Sequence, residues 1–150
     1  MKRSERLGAI LELTETREQQ VARQLGETNR QLQTSQRGLE NLKGFRTNYT
    51  ARFQQTGDRG MDARQLLNYR IFLDKINMAV TQQELAVEKA QQDVVRRRAE
   101  WEDAHRRSLG LKTVVDKARA EESRIEARKL QAEMDERASR RAVNPLSVTA

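Results

Sequence analysis

The sequence predicts an all-α fold: a long antiparallel two-helix coiled-coil hairpin with the second helix overhanging. A 4-3 spacing carries most of that reading. It runs unbroken through Leu66, Tyr69, Leu73, Ile76, Val80, Gln83, Val87, Ala90, Val94, Arg97, Trp101, Ala104, Ser108, Leu111, Val115 and Ala118, and thirteen of these sixteen are apolar or aromatic. Steps of three and four average 3.5 residues, the repeat of a supercoiled helix, and so narrow a seam needs a partner helix along its length. A shorter frame lies upstream, and a stretch of turn residues separates the two.

The first helix is expected over about residues 4–56. Its frame is Leu7, Leu11, Thr14, Glu18, Val21, Leu25, Thr28, Leu32, Ser35, Leu39, Leu42, Arg46, Tyr49 and Phe53; nine of the fourteen are apolar and three more are small Thr or Ser. The turn, 57–61, falls within Thr56-Gly57-Asp58-Arg59-Gly60-Met61-Asp62. Gly57 suits the left-handed position just past a helix end. Asp62 suits an N-cap, with Gln65 three residues on to complete a capping box. A connection this short makes neighbouring helices antiparallel. The second helix is expected over about 62–143, closed by Pro145, the one proline in the chain, with a tail at 144–150. The whole of 1–150 reads as a single coiled-coil unit. Folding near residue 59 pairs residue i with roughly 118 minus i, which leaves everything after about Ala118 unpartnered. That overhang is strongly helix-forming, carries sparse apolar residues at Ile125, Leu130 and Met134, and includes the i,i+4 pairs Glu133–Arg137 and Glu136–Arg140.

Composition excludes several classes. With 36% hydrophobic and 34% charged residues, a large compact core is not expected. Cysteine is absent and His105 is the only histidine, which leaves no zinc or thiol–histidine site. The seven glycines are scattered, so none forms a phosphate-cradling loop. No enzyme activity and no cofactor are expected. The basic start lacks the apolar run of a secretory signal, and no stretch approaches the roughly 20 apolar residues that span a bilayer. Net charge is +7, densest at Arg96-Arg97-Arg98, but from Arg96 to Arg141 fourteen basic residues alternate with ten acidic ones. A zipper-type DNA reader concentrates its charge in an uninterrupted basic helix instead. A solvated mixed-charge surface or an acidic protein partner fits better, and nucleic acid is not expected.

Near the turn, apolar residues exceed what one seam can bury. Leu42, Phe45 and Tyr49 share a helix face, as do Phe72, Ile76, Ala79 and Gln83. Either the seam thickens here, or an aromatic patch stays partly exposed to bind a partner.

These features bear a resemblance. Length, the early Leu25-Gly26-Glu27, the stretch Asn68-Tyr69-Arg70-Ile71-Phe72 running on to Ile76, Ala79 and Thr81-Gln82, and the C-terminal Met134-Asp135-Glu136 before Arg137-Ala138 together resemble the FliJ family of the flagellar type III export apparatus. The resemblance implies a hairpin similar to the central stalk of rotary ATPases. One end would insert into the hexameric export ATPase; the other would contact the cytoplasmic domain of the export-gate membrane protein, coupling ATP hydrolysis to export. Export chaperones are implied as further partners, and a cytoplasmic location held to the membrane apparatus through protein partners. The family's gate-binding face maps onto Leu42, Phe45, Tyr49, Phe72, Ile76 and Ala79; Gly38 and Gln83 at its edges supply no large contact. The ATPase contact is placed by geometry on the overhang and adjoining N-terminus, at Leu7, Leu11, Ile125, Leu130 and Met134. From the residues alone, a self-associating structural coiled coil and a basic helical nucleic-acid binder stay open beside the export reading.

Overall fold

The computed structural model describes residues 1–57 and 60–148, the last five by their backbone alone. Among the described residues there are two helices, α1 over Arg3–Gly57 and α2 over Ala63–Val148. Among the described residues there is no strand.

The two 4-3 frames are the buried faces. All fourteen positions of the first frame are buried or half-buried in α1. In α2 the same holds for fifteen of the sixteen positions of the second frame, Leu66 being the exposed one. Val21 and Val115 are the most deeply buried side chains, at 1% and 0% exposure. Burying one such side chain contributes roughly 1.5–3 kcal/mol, so the paired seams, not intrinsic propensity, hold these helices. The buried seam residue Thr28 is satisfied locally: its hydroxyl donates to the Gln24 carbonyl at 2.8 Å. Among the described residues no buried side-chain polar atom lacks a partner.

Contacts group the chain into two compact units. The first combines residues 1–17 with 104–150, and the second spans 18–103. Each is an antiparallel helix pair. In the second unit the pairing follows Gln24–Arg97, Ser35–Gln83 and Arg46–Asn77, so partner numbers add to 118–123. In the first unit Ser4 meets Glu122 and Lys2 meets Glu126, adding to 126–128. The expected rule of about 118 therefore holds only for the pair Ser35–Gln83. α1's N-terminus reaches about two turns further along α2 than the rule places it, and the unpartnered stretch begins after Glu126 rather than after Ala118.

The turn differs in its left-handed residue. Gly57 ends α1 in helical conformation, and Gly60 has positive φ, at 85°. Its amide donates to the Gly57 carbonyl at 3.2 Å. Asp58 and Arg59 of the expected turn lie outside the described residues. The capping box forms as the sequence specifies: the Gln65 amide donates to Asp62 Oδ1 at 2.8 Å, and the Asp62 amide to Gln65 Oε1 at 3.2 Å. At the other end α2 passes Pro145 and runs to Val148 instead of closing near 143. A proline removes one helical hydrogen bond without forbidding the turns on either side of it. Residues 149 and 150 of the expected tail lie outside the described residues.

Candidate functional sites on the two helix pairs

Five of the chain's six aromatic residues gather beside the turn, within the second unit. On α1 they stand at Phe45, Tyr49 and Phe53, one turn apart; on α2 at Tyr69 and Phe72. Phe53 stacks on Tyr69 with ring centroids 3.5 Å apart, and Tyr49 stacks on Tyr69 at 5.2 Å. Tyr49 also leans on Phe72 at 4.8 Å, and Phe45 meets Phe72 edge-on at 6.2 Å. The contacts of Tyr49 with Tyr69 and of Phe72 with Tyr49 and Phe45 each add roughly 0.5–1.5 kcal/mol beyond area burial.

The cluster grades from inside to outside. Tyr49, Phe53 and Tyr69 are half-buried seam residues. Phe45 and Phe72 stand off the seam, 51% and 40% exposed. Of the six residues that the resemblance assigns to a gate-binding face, the structure brings Phe45, Tyr49 and Phe72 into one ring cluster. Leu42 and Ala79 are half-buried, while Ile76 is 5% exposed and belongs to the core. Ile76 can therefore hold the face in shape but offers little surface of its own. Phe53 and Tyr69 escape the sequence reading of this face because their spacing marks them simply as seam. The signals that could have found them are the run of aromatics at 45, 49 and 53 and the i,i+3 spacing of Tyr69 and Phe72.

Gln83 and Gly38, which looked like weak edges of that face, form a crossing between the helices. Gln83 Nε2 donates to the Ser35 carbonyl at 2.8 Å. A Cβ at residue 38 would lie 2.9 Å from that same nitrogen. Gly38 is thus the close approach that lets a seam glutamine reach α1's backbone. Arg97, also on the seam, donates to Gln24 Oε1 at 3.3 Å and pairs with Glu100 at 3.0 Å.

In the first unit α2 caps the start of α1. Glu122 accepts from the Ser4 amide at 3.0 Å and from the Ser4 hydroxyl at 2.5 Å. Lys2 Nζ lies 2.6 Å from Glu126. The first amides of a helix have no partner within it and carry a positive dipole end, so a carboxylate there satisfies both. The Ser4 hydroxyl and amide hold the Glu122 carboxyl below its ordinary range. The hydrogen bond and charge of Glu126 raise the Lys2 ammonium. Leu7 and Leu11 are half-buried beside this cap. Beyond it, every described side chain from 123 to 143 is exposed, including Ile125, Leu130 and Met134. The Glu136–Arg140 pair forms at 2.8 Å.

The basic residues are interleaved with acids in space as in sequence: Arg96 pairs with Asp93 and Arg124 with Glu121. Among the described residues no cluster of three or more His, Asp or Glu could hold a metal ion, and no helix is long and apolar enough to cross a membrane.

Such a molecule is an all-α protein of paired antiparallel helices, distinguished by an exposed aromatic face and an unpartnered helical end. Residues 2–147 match the family described as Flagellar FliJ protein. The chain is also 26% identical, over 137 residues, to the flagellar FliJ protein of Salmonella typhi, an alignment covering 91% of this chain and 93% of that one. No solved structure matches it. This chain belongs to the flagellar FliJ family and is a component of the flagellar export machinery.

Proposed function

We propose that the chain joins the hexameric export ATPase to the cytoplasmic domain of the export gate, coupling ATP hydrolysis to protein export. The observation that carries this reading is the pair of half-exposed phenylalanines, Phe45 and Phe72, held in place by Tyr49. Exposed aromatic side chains on a rigid support are the anchors that dominate protein interfaces. Phe45 and Phe72, flanked by Leu42, Tyr49 and Ala79, dock the gate. Ile125, Leu130 and Met134 are the ATPase-facing residues, with Leu7 and Leu11 beneath the capped start of α1. Export chaperones use the same exposed apolar surfaces. The protein acts in the cytoplasm, held at the membrane apparatus by these partners.

Burying one phenylalanine is worth roughly 1.5–3 kcal/mol, so Phe72→Ala should weaken gate binding about tenfold or more. The variant keeps its helical content, because Phe72 lies off the seam. Titration calorimetry against the gate's cytoplasmic domain reads the loss. Unchanged affinity in a helical Phe72→Ala protein overturns the assignment of this face.

A further inference from the structure

The outer side of α2 near the turn carries an apolar stripe that neither the seam nor the aromatic face uses. Leu67, Ile71, Met78 and Leu85 are 58%, 47%, 64% and 61% exposed. Each stands two residues before a seam position, and so about 200° round the helix from it. Over residues 18–57, by contrast, Phe45 is the only exposed large apolar side chain of α1 among the described residues. The stripe therefore belongs to one helix and one side, and its spacing is again 4-3, with Asp74 and Thr81 in the intervening places. A 4-3 stripe on an outward face is the signature of a second helix partner.

We propose that this partner is the same stripe of a second copy, packed antiparallel about a twofold axis. In that register residue i meets residue 152 minus i. Leu67 lies against Leu85 of the second copy, and Ile71 against Thr81 of the second copy. Charge selects the direction. The antiparallel arrangement sets Arg70, which flanks the stripe, beside Glu84 of the second copy, two residues off the facing register and twice by symmetry. A parallel one sets Arg70 beside Lys75 and Asp74 beside Asp74. In the same register Asp74 lies against Met78 of the second copy, with Lys75 of both copies beside it near the twofold axis. Four aliphatic side chains bury only a few hundred Å² per copy, so the contact falls below the roughly 1,200 Å² of stable complexes and is transient.

Sedimentation equilibrium of the full chain over rising concentration tests this. A monomer–dimer equilibrium is expected at roughly micromolar or weaker affinity. Arg70→Glu should weaken it about tenfold, and Arg70→Glu combined with Glu84→Arg should restore it. The chain has no cysteine, so mixed Leu67→Cys and Leu85→Cys chains should form a disulfide across the pair, while neither variant links to itself. A chain that stays monomeric, a charge swap that restores nothing, or Leu67→Cys chains that link to one another would each overturn the proposal.

Discussion

Gly38 shows how a single missing methyl can set a helix crossing. Glycine inside a helix costs up to about 1 kcal/mol relative to alanine. At Gly44 a Cβ would meet nothing within 4 Å, so Gly44→Ala should stabilise the protein by roughly that amount. At Gly38 the same methyl lies 2.9 Å from Gln83 Nε2. Moving that amide aside breaks its bond to Ser35, worth about 0.5–1.5 kcal/mol. Gly38→Ala should therefore gain little or nothing. Chemical denaturation of the two variants checks the contrast, and equal gains would remove the role given to the crossing. In the sequence, Gly38 and Gln83 are merely a glycine and a polar residue at the margins of an aromatic face. Forty-five residues separate them, and nothing in their own spacing reveals that they touch.

At the scale of the element, α1 depends on α2 for its first turn. The Glu122 carboxyl is held below its ordinary value of 4.5 by the Ser4 hydroxyl and amide. A lowered carboxyl contributes its stabilisation fully above that ordinary value and loses it as pH falls through the lowered one. Lys2 behaves oppositely: raised above 10.5 by Glu126, it contributes below that value and is lost as pH climbs through the raised one. The cap thus operates across the neutral range and opens at acid pH. Glu122→Gln keeps an acceptor but removes the charge, and should speed amide hydrogen exchange at the start of α1 at neutral pH. Acidifying the unaltered protein below about pH 4 should lower the protection factors there as well, measured against the intrinsic exchange rate at each pH. Protection factors that ignore both changes would show that the cap does not hold this helix end.

The existence of both helices, their buried faces and the capping box at Asp62 are all written in local spacing, and the structure follows them closely. The register is not. It depends on which distant residues meet: Ser4 and Lys2 with Glu122 and Glu126 in the first unit, and Gln24 with Arg97 and Ser35 with Gln83 in the second. The positive φ at Gly60 rather than at Gly57 is a similar case, since either glycine tolerates the conformation and only the closed turn chooses. Phe53 and Tyr69 were hidden because the same 4-3 spacing describes a seam residue and a support for an exposed ring.

For the molecule as a whole, the proposed function requires two separable surfaces. Phe72→Ala should lose the gate yet still raise the hydrolysis rate of the cognate export ATPase. A chain ending at residue 126 should do the reverse, because Leu130 and Met134 lie beyond that point while the aromatic face is untouched. Binding and hydrolysis measured on both variants distinguish the surfaces, and a variant that loses both activities together would show that they are not independent.

By itself the sequence determined the class of fold, the extent of both helices to within a few residues, the faces they bury and the family to which the chain belongs. The first three follow from periodicity and order, which are local properties of a chain; the family follows from the match over residues 2–147. Only the tertiary structure decided which residues face one another across the pair, where α2 runs out of partner, and which rings remain exposed. Those depend on side chains distant in sequence meeting in one register. A 4-3 repeat cannot supply that information, because sliding the helices by one repeat leaves its pattern unchanged.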